Sequence, residues 1–332
     1  VSTTGDPTGG WYVGGSSFGT GLGDFIDFPQ LGMDLHSIIM TFNNFPPPGF
    51  GGLNGATFAI SKAYLYNGLA WHSYIFTGSA CTVAPPYVLD NNGVDYVMAF
   101  CPGDDKVWIG SLTNSGLSNV HLNLWDNTVS VPVFGIPPDA PQFHYSLDTG
   151  DNRFENRSVQ VGSRILNTAT ISFDRGAGAR ATAAWFDFNI DASPHTGQSY
   201  GLWFGSTTSS DWHPSINANT VGASSRLLGE TFGTWMSVDQ ANNINVQLRA
   251  IGATGDDAGY GSGITVYTGP WALTNQTDSN GIHRTGDYSY IALYPAAALG
   301  CTQPNEIGIL TGETAGPSLG LWGTRVGIVK HC

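Results

Sequence analysis

The chain has 332 residues, with 12 Lys and Arg against 25 Asp and Glu, and its formal net charge of −13 repels phosphate backbones and anionic lipid surfaces. Nucleic acid is therefore not an expected partner, and Lys62, Lys106 and Lys330 are too few for a polybasic membrane patch. Forty-five Gly, 18 Pro and 12% aromatics beside 11% charged residues indicate short strands joined by tight turns, and 41% hydrophobic content rules out wholesale disorder.

The sequence opens at Val1 without Met or an apolar leader, which reads as a mature form after signal-peptide removal and hence as a secreted protein. Alternating segments follow at Ile38–Phe42, Thr57–Ile60, Tyr96–Phe100, Lys106–Ile109, Thr170–Phe173, Ala183–Phe188, Thr234–Val238, Asn245–Ala250 and Ile264–Tyr267. Turn formers such as Asn91-Asn92-Gly93, Gly103-Asp104-Asp105 and Asp174-Arg175-Gly176 separate them. No stretch holds a helical period, and the longest apolar runs, such as Ser37–Phe42, are far shorter than the ~18 residues needed to span a bilayer.

A faint corner motif recurs at Asp27–Met33, Trp212–Ala218 and Gly286–Ala292. The first two corners are about four 46-residue periods apart and the third fits only with an indel, which predicts an all-β, single β-propeller domain over residues 1–332 with six or seven blades, seven preferred. A pair of sandwiches or a β-helix would lack this corner. Trp322–Val329 is expected as the last strand, with Gly10–Val13 as a partner closing the ring. Neither Pro46-Pro47-Pro48 nor the Gly-rich segment 252–263 marks a domain boundary.

Four cysteines form two separated pairs, and the economical pairing is Cys81 with Cys101 and Cys301 with Cys332, as disulfides of an oxidising compartment. Asn156-Arg157-Ser158 and Asn275-Gln276-Thr277 are glycosylation sequons, making Asn156 and Asn275 acceptor candidates. No Cys/His cluster suggests a metal site. The acidic turn Asp148, Asp151, Asn152 and Glu155 and the loop Asp256-Asp257 have oxygen ligands suited to calcium but lack the EF-hand spacing, so no cofactor is expected.

The corner at Asp27–Met33 with Ile38–Phe45, the stretch Leu147–Thr168, His213-Pro214-Ser215-Ile216, Thr285–Ser289 and Trp322-Gly323-Thr324-Arg325 together resemble exported sialidase-like β-propeller proteins. The resemblance implies a propeller fold and export, and says little about chemistry. Ser146-Leu147-Asp148-Thr149-Gly150 matches the first half of that family's blade-turn motif, whereas Asn152-Arg153 replace its Thr-Trp.

In a propeller the starts of the inner strands ring the channel, so Asp27, Arg153, His213, Arg284 and Asp287 are the candidate catalytic or binding residues. Arg153 and Arg284 would bind a uronate carboxylate, His213 would act as acid or base, and the aspartates would orient it; equally, these residues would tie blade to blade. Gly316-Pro317-Ser318-Leu319-Gly320 has the letters of a nucleophile elbow without its strand–helix context. Trp11, Trp71, Trp203, Trp212 and Trp322 lie near polar loops and are candidate sugar platforms. With no catalytic motif intact, the expected function is an extracellular protein that binds glycans or assembles with its own copies, the Val1–Gly10 arm docking on a neighbour. The alternative is a glycosidase or lyase acting on an acidic polysaccharide at the channel mouth.

Overall fold

The computed structural model describes residues 1–6, 8–14, 24–47, 54–70, 73–90, 93–143, 145–220, 228–254, 258–273, 277–294, 307–316 and 322–330. Among the described residues the structure is all-β apart from one five-residue helix, α1 (Lys62–Tyr66), and a single 3-10 turn. All nine alternating segments anticipated above lie within strands, because alternation buries one face of a pleated strand whatever its partners are.

The strands form antiparallel meanders. The first contains β1 (Phe25–Met33), β2 (Ser37–Phe45), β3 (Asn54–Ser61) and β4 (Ser73–Ser79). The second contains β5 (Val83–Ala84), β7 (Val94–Phe100), β8 (Lys106–Thr113) and β9 (His121–Ser130), while β6 (Pro86–Val88) leaves it to pair in parallel with β1. A small hairpin, β10 (Ala140–Gln142) with β11 (Tyr145–Leu147), precedes the third meander: β12 (Ser158–Val161), β13 (Arg164–Asp174), β14 (Ala179–Asn189) and β15 (Thr196–Trp203). The fourth is β16 (Ser210–Thr220), β17 (Leu228–Asp239), β18 (Ile244–Thr254) and β19 (Ile264–Thr268), and the fifth has three strands, β20 (Tyr290–Tyr294), β21 (Ile307–Ala315) and β22 (Trp322–Lys330).

Each meander touches the next through both polar and apolar contacts. Asn43 Nδ2 donates to Thr82 Oγ1 (3.0 Å) between the first and second. The Gln160 side chain accepts from Tyr96 N (2.9 Å) and donates to Val94 O (2.7 Å) between the second and third. Trp203 stacks on Trp235 (5.7 Å) between the third and fourth, and Asn217 Nδ2 donates to Ile291 O (3.2 Å) between the fourth and fifth. The Phe28 and Tyr288 rings, 5.2 Å apart, bring the region just before the fifth meander back to the first. Apolar clusters fill these seams, the largest uniting Phe100, Ile109, Phe154, Ile171 and Phe186.

The described residues form five antiparallel meanders, the first and third joined through β6 into one nine-stranded sheet, and this arrangement fixes neither six nor seven blades. In the described part of the N-terminal arm Trp11 bridges Ser2, the Val1 ammonium donates to Tyr12 O (2.9 Å), and Tyr12 abuts Gly68 just beyond α1, while Trp322–Lys330 pairs with β21. The Cys81–Cys101 disulfide is formed, joining the start of β5 to the end of β7, whereas Cys301 and Cys332 lie outside the described residues.

Candidate functional site

The corner motif turns out to be a backbone device. In β1 the register shifts between Asp27 and Gln30 and Phe28 has φ 54°; in β16 it shifts between Trp212 and Ser215 and His213 has φ 47°. Both are bulges in which a non-glycine residue immediately before proline adopts the left-handed region, which is uncommon and concentrates where a side chain is being re-aimed. In β16 the bulge is latched by Asn156 Nδ2 and Thr168 Oγ1, each donating to Pro214 O at 2.8 Å.

The β16 bulge aims His213 inward. Its Nδ1 lies 2.9 Å from Glu155 Oε2, and both side chains are buried. Its backbone N–H donates to Thr170 Oγ1 (3.0 Å), whose hydroxyl faces the same carboxyl group. Nε2 is 3.1 Å from Thr285 Oγ1; because that hydroxyl already donates to Asp148 O (2.9 Å), it accepts from Nε2–H. Burial opposes a charged imidazole, but the charge and proximity of Glu155, reinforced by Asp287 and Asp148, outweigh it and hold the His213 pKa above its ordinary value. The sequence reading offered Glu155 only as a turn ligand for calcium. Its true partner lies 58 residues away, a distance across which no local spacing signal operates.

Above this pair lies a polar mouth. Arg153 is bound to Asp151 through both Nε (2.6 Å) and a terminal nitrogen, and its guanidinium covers the Phe28 ring at 5.1 Å. Asp27 accepts from Phe28 N (2.8 Å) and lies within electrostatic reach of Arg153 and Tyr288. Burial, then Asp287 and Asp27, push the Tyr288 phenol upward. Asp27, Arg153, His213 and Asp287 are thus brought to one region. Arg284 is exposed on its rim, 3.6 Å from Asp287.

Glu313, which the sequence reading did not single out, lies on β21 and completes the region. It lines a pocket of about 340 Å³ with Asp287, Tyr288, Thr285 and Trp322. Its carboxylate accepts from Gly286 N, and a Cβ at position 286 would meet Glu313 Oε2 well inside van der Waals contact, so the carboxylate would have to shift for any larger residue there. Burial raises the Glu313 pKa, the Gly286 N–H and His213 work against this, and Asp287 adds to it. Asp287 is about half exposed in the same pocket, and the Trp322 ring is 57% exposed.

Other expectations change with burial. Trp203 and Trp212 are core residues and no ligand platforms, Trp11 and Trp322 are exposed, and Trp71 lies outside the described residues. Asn156 is buried with its amide nitrogen committed to Pro214 O, leaving a glycan no path to solvent; Asn275 lies outside the described residues. The acidic turn is pulled apart, with Asp151 on Arg153, Glu155 on His213 and Asn152 Nδ2 on Phe134 O, and no group of three metal-binding side chains occurs among the described residues. Asp256-Asp257 and most of the Gly316–Gly320 segment also lie outside them. No helix among the described residues is long and apolar enough to cross a membrane.

No protein-family model matches the chain, and no curated protein matches it, so the sialidase resemblance gains no support. Among solved structures, one described as a glycoside hydrolase shares 9% identity at a TM-score of 0.38, covering 93% of this chain and 88% of that one. The catalytic domain of the Coprinopsis cinerea GH62 alpha-L-arabinofuranosidase shares 10% identity at a TM-score of 0.35, covering 92% and 90%. Likeness at that level carries neither fold detail nor activity to this chain.

Proposed function

We propose that this protein is a secreted carbohydrate-active enzyme, a five-bladed propeller that cleaves glycosidic bonds of a neutral glycan at the pocket holding Glu313 and Asp287. The observation that carries the proposal is the placing of two carboxyl groups in one pocket in unlike environments, Glu313 buried and Asp287 open to solvent, beside the exposed ring of Trp322. The five meanders and the Phe28–Tyr288 contact that returns to the first support a closed ring. A disulfide supports an oxidising compartment.

Glycoside hydrolysis needs a carboxylic acid and a carboxylate. The protonated Glu313 carboxyl gives its proton to the leaving glycosidic oxygen. Asp287 takes a proton from the water that attacks the anomeric carbon. Trp322 offers an apolar face to the sugar ring, and Thr311 and Thr324 face its hydroxyls. The buried Glu155–His213 pair holds Thr285 and the bulge beneath the pocket rather than touching substrate.

The acidic-polysaccharide reading is set aside. Asp27, Asp148, Asp151, Glu155, Asp287 and Glu313 surround the region, while Arg153 and Arg284 each already face an aspartate. A uronate would meet net negative charge.

The test is incubation with arabinoxylan, mannan, laminarin and polygalacturonate while following reducing ends. Release from a neutral member, abolished in Glu313→Gln and Asp287→Asn with circular dichroism unchanged, is expected. Activity surviving both substitutions, or confined to polygalacturonate, overturns the proposal; binding without release from any polymer returns the protein to the glycan-binding class.

A further inference from the structure

A second cleft lies at the junction of the β10–β11 hairpin, the β17–β18 turn and the segment following β19. Its volume of about 420 Å³ falls in the roughly 300–1,000 Å³ range of small-ligand sites. Three partly exposed aromatic residues lie there: Phe143 at 59% exposure, Trp271 at 48% and Tyr145 at 42%, the Tyr145 ring standing edge-on to His283 at 4.5 Å. Gln240, Asn243 and Asn245 bring amides to the same cleft, and none of its lining residues is charged.

The cleft is braced from behind. The buried side chain of Gln142 accepts from Leu273 N (3.0 Å) and donates to Leu273 O, imitating a strand pairing between segments 131 residues apart. Gln240 Nε2 donates to Gln142 O (3.1 Å), and Asn245 Nδ2 donates to Gly269 O (3.3 Å). These bonds use the amide nitrogens to fix the three segments against one another. The backbone segments that carry the rings are therefore held in place before any ligand arrives, which lowers the ordering cost of binding.

We propose that this cleft is a second, non-catalytic binding site for a neutral oligosaccharide. Its chemistry selects that class. An anionic ligand finds no counter-charge there and is repelled by a chain of net charge −13, and a cation finds no carboxylate in the lining. Flat aromatic faces beside amides suit a ligand with apolar ring faces and hydroxyl edges, which describes an uncharged sugar. Such a site would hold a polymeric substrate on the protein by a second attachment, raising the local concentration of chain at the first. The binding claim itself does not rest on the hydrolytic reading, since the two pockets share no residue.

The experiment uses the full chain carrying Trp322→Ala and Glu313→Gln, which removes the platform and the acid of the first pocket. Titration calorimetry and tryptophan fluorescence follow cellohexaose, xylohexaose and mannohexaose, with trigalacturonate as the charged control. Binding of at least one neutral hexasaccharide is expected, weakened at least tenfold by adding Trp271→Ala or Phe143→Ala and only partly by Trp271→Phe. Circular dichroism should be unchanged, because both rings are on the surface. Binding that survives Trp271→Ala together with Phe143→Ala, absence of binding by all three neutral sugars, or equal binding of trigalacturonate overturns the inference. None of these outcomes depends on whether Glu313 hydrolyses anything.

Discussion

His213 Nδ1 stands 2.9 Å from Glu155 Oε2, both side chains almost fully buried, and Nε2 of the same imidazole is held by Thr285. An ion pair so enclosed is costly to break from one side, because the remaining charge keeps its burial penalty and loses its partner. Glu155→Gln should therefore lower unfolding free energy by about 3–5 kcal/mol in urea denaturation. The folded-state pKa of His213 is raised above its unfolded value of 6.5. Its stabilising contribution is thus complete below pH 6.5 and disappears as pH climbs through the folded value, and Glu155→Gln should flatten that portion of the stability profile. An unchanged profile in the variant would show that the pair is not coupled to folding.

A second buried carboxyl group supplies another pH dependence. Asp95 on β7 is pushed up to about 8 by burial, then by the charge of Asp34 and the hydrogen bond they share. Asp34 also accepts from Ser37 Oγ (2.9 Å) and from Ser115 Oγ, joining the first meander to the second. Since the folded value exceeds the unfolded one of 3.8, this contribution is complete below pH 3.8 and is lost as pH rises toward 8. Asp95→Asn keeps the shape without the charge and should raise stability at pH 9 by a few kcal/mol relative to wild type, with little change at pH 4. Equal shifts at both pH values would sink this assignment.

Glu313 must be protonated to serve as an acid, so hydrolysis should decline as pH rises through its elevated pKa. Glu313→Gln should reduce the rate by about 10²–10⁴-fold and remove the alkaline limb. A residual rate with the wild-type alkaline limb would assign that limb to another group.

Cys81 and Cys101 close a loop of sequence separation 20. Replacing both by alanine should cost about 2–4 kcal/mol in a reversible denaturation experiment, chiefly by freeing the unfolded chain. A loss below 0.5 kcal/mol would mean that the loop stays closed in the unfolded ensemble.

Expression in a glycosylating host followed by peptide mass mapping should find Asn156 unmodified in folded protein, because its amide nitrogen is bonded to Pro214 O inside the structure. Asn156→Ala should instead destabilise by about 1–3 kcal/mol, the cost of leaving that buried carbonyl unpaired.

Much was legible in the chain by itself: the all-β class, the nine alternating segments, the Cys81–Cys101 pairing, and the kinship of Asp27-Phe28-Pro29 with Trp212-His213-Pro214. All four are local, set by which side chain follows which, and a pleated strand or a bulge needs only its own few residues and one neighbour. The number of meanders was not legible, because length per unit depends on hairpins and loops that no alternation marks. Nor was the site. His213 reads as an acid or base at a channel mouth in the sequence and becomes the buried partner of Glu155; Glu313 carries no motif and acquires its raised pKa only through burial, with the charge of Asp287 adding to it. Gln142 finds Leu273 across 131 residues. Burial and proximity between distant segments are properties of the packed chain, and those two quantities determine charge state, partner and access in both clefts.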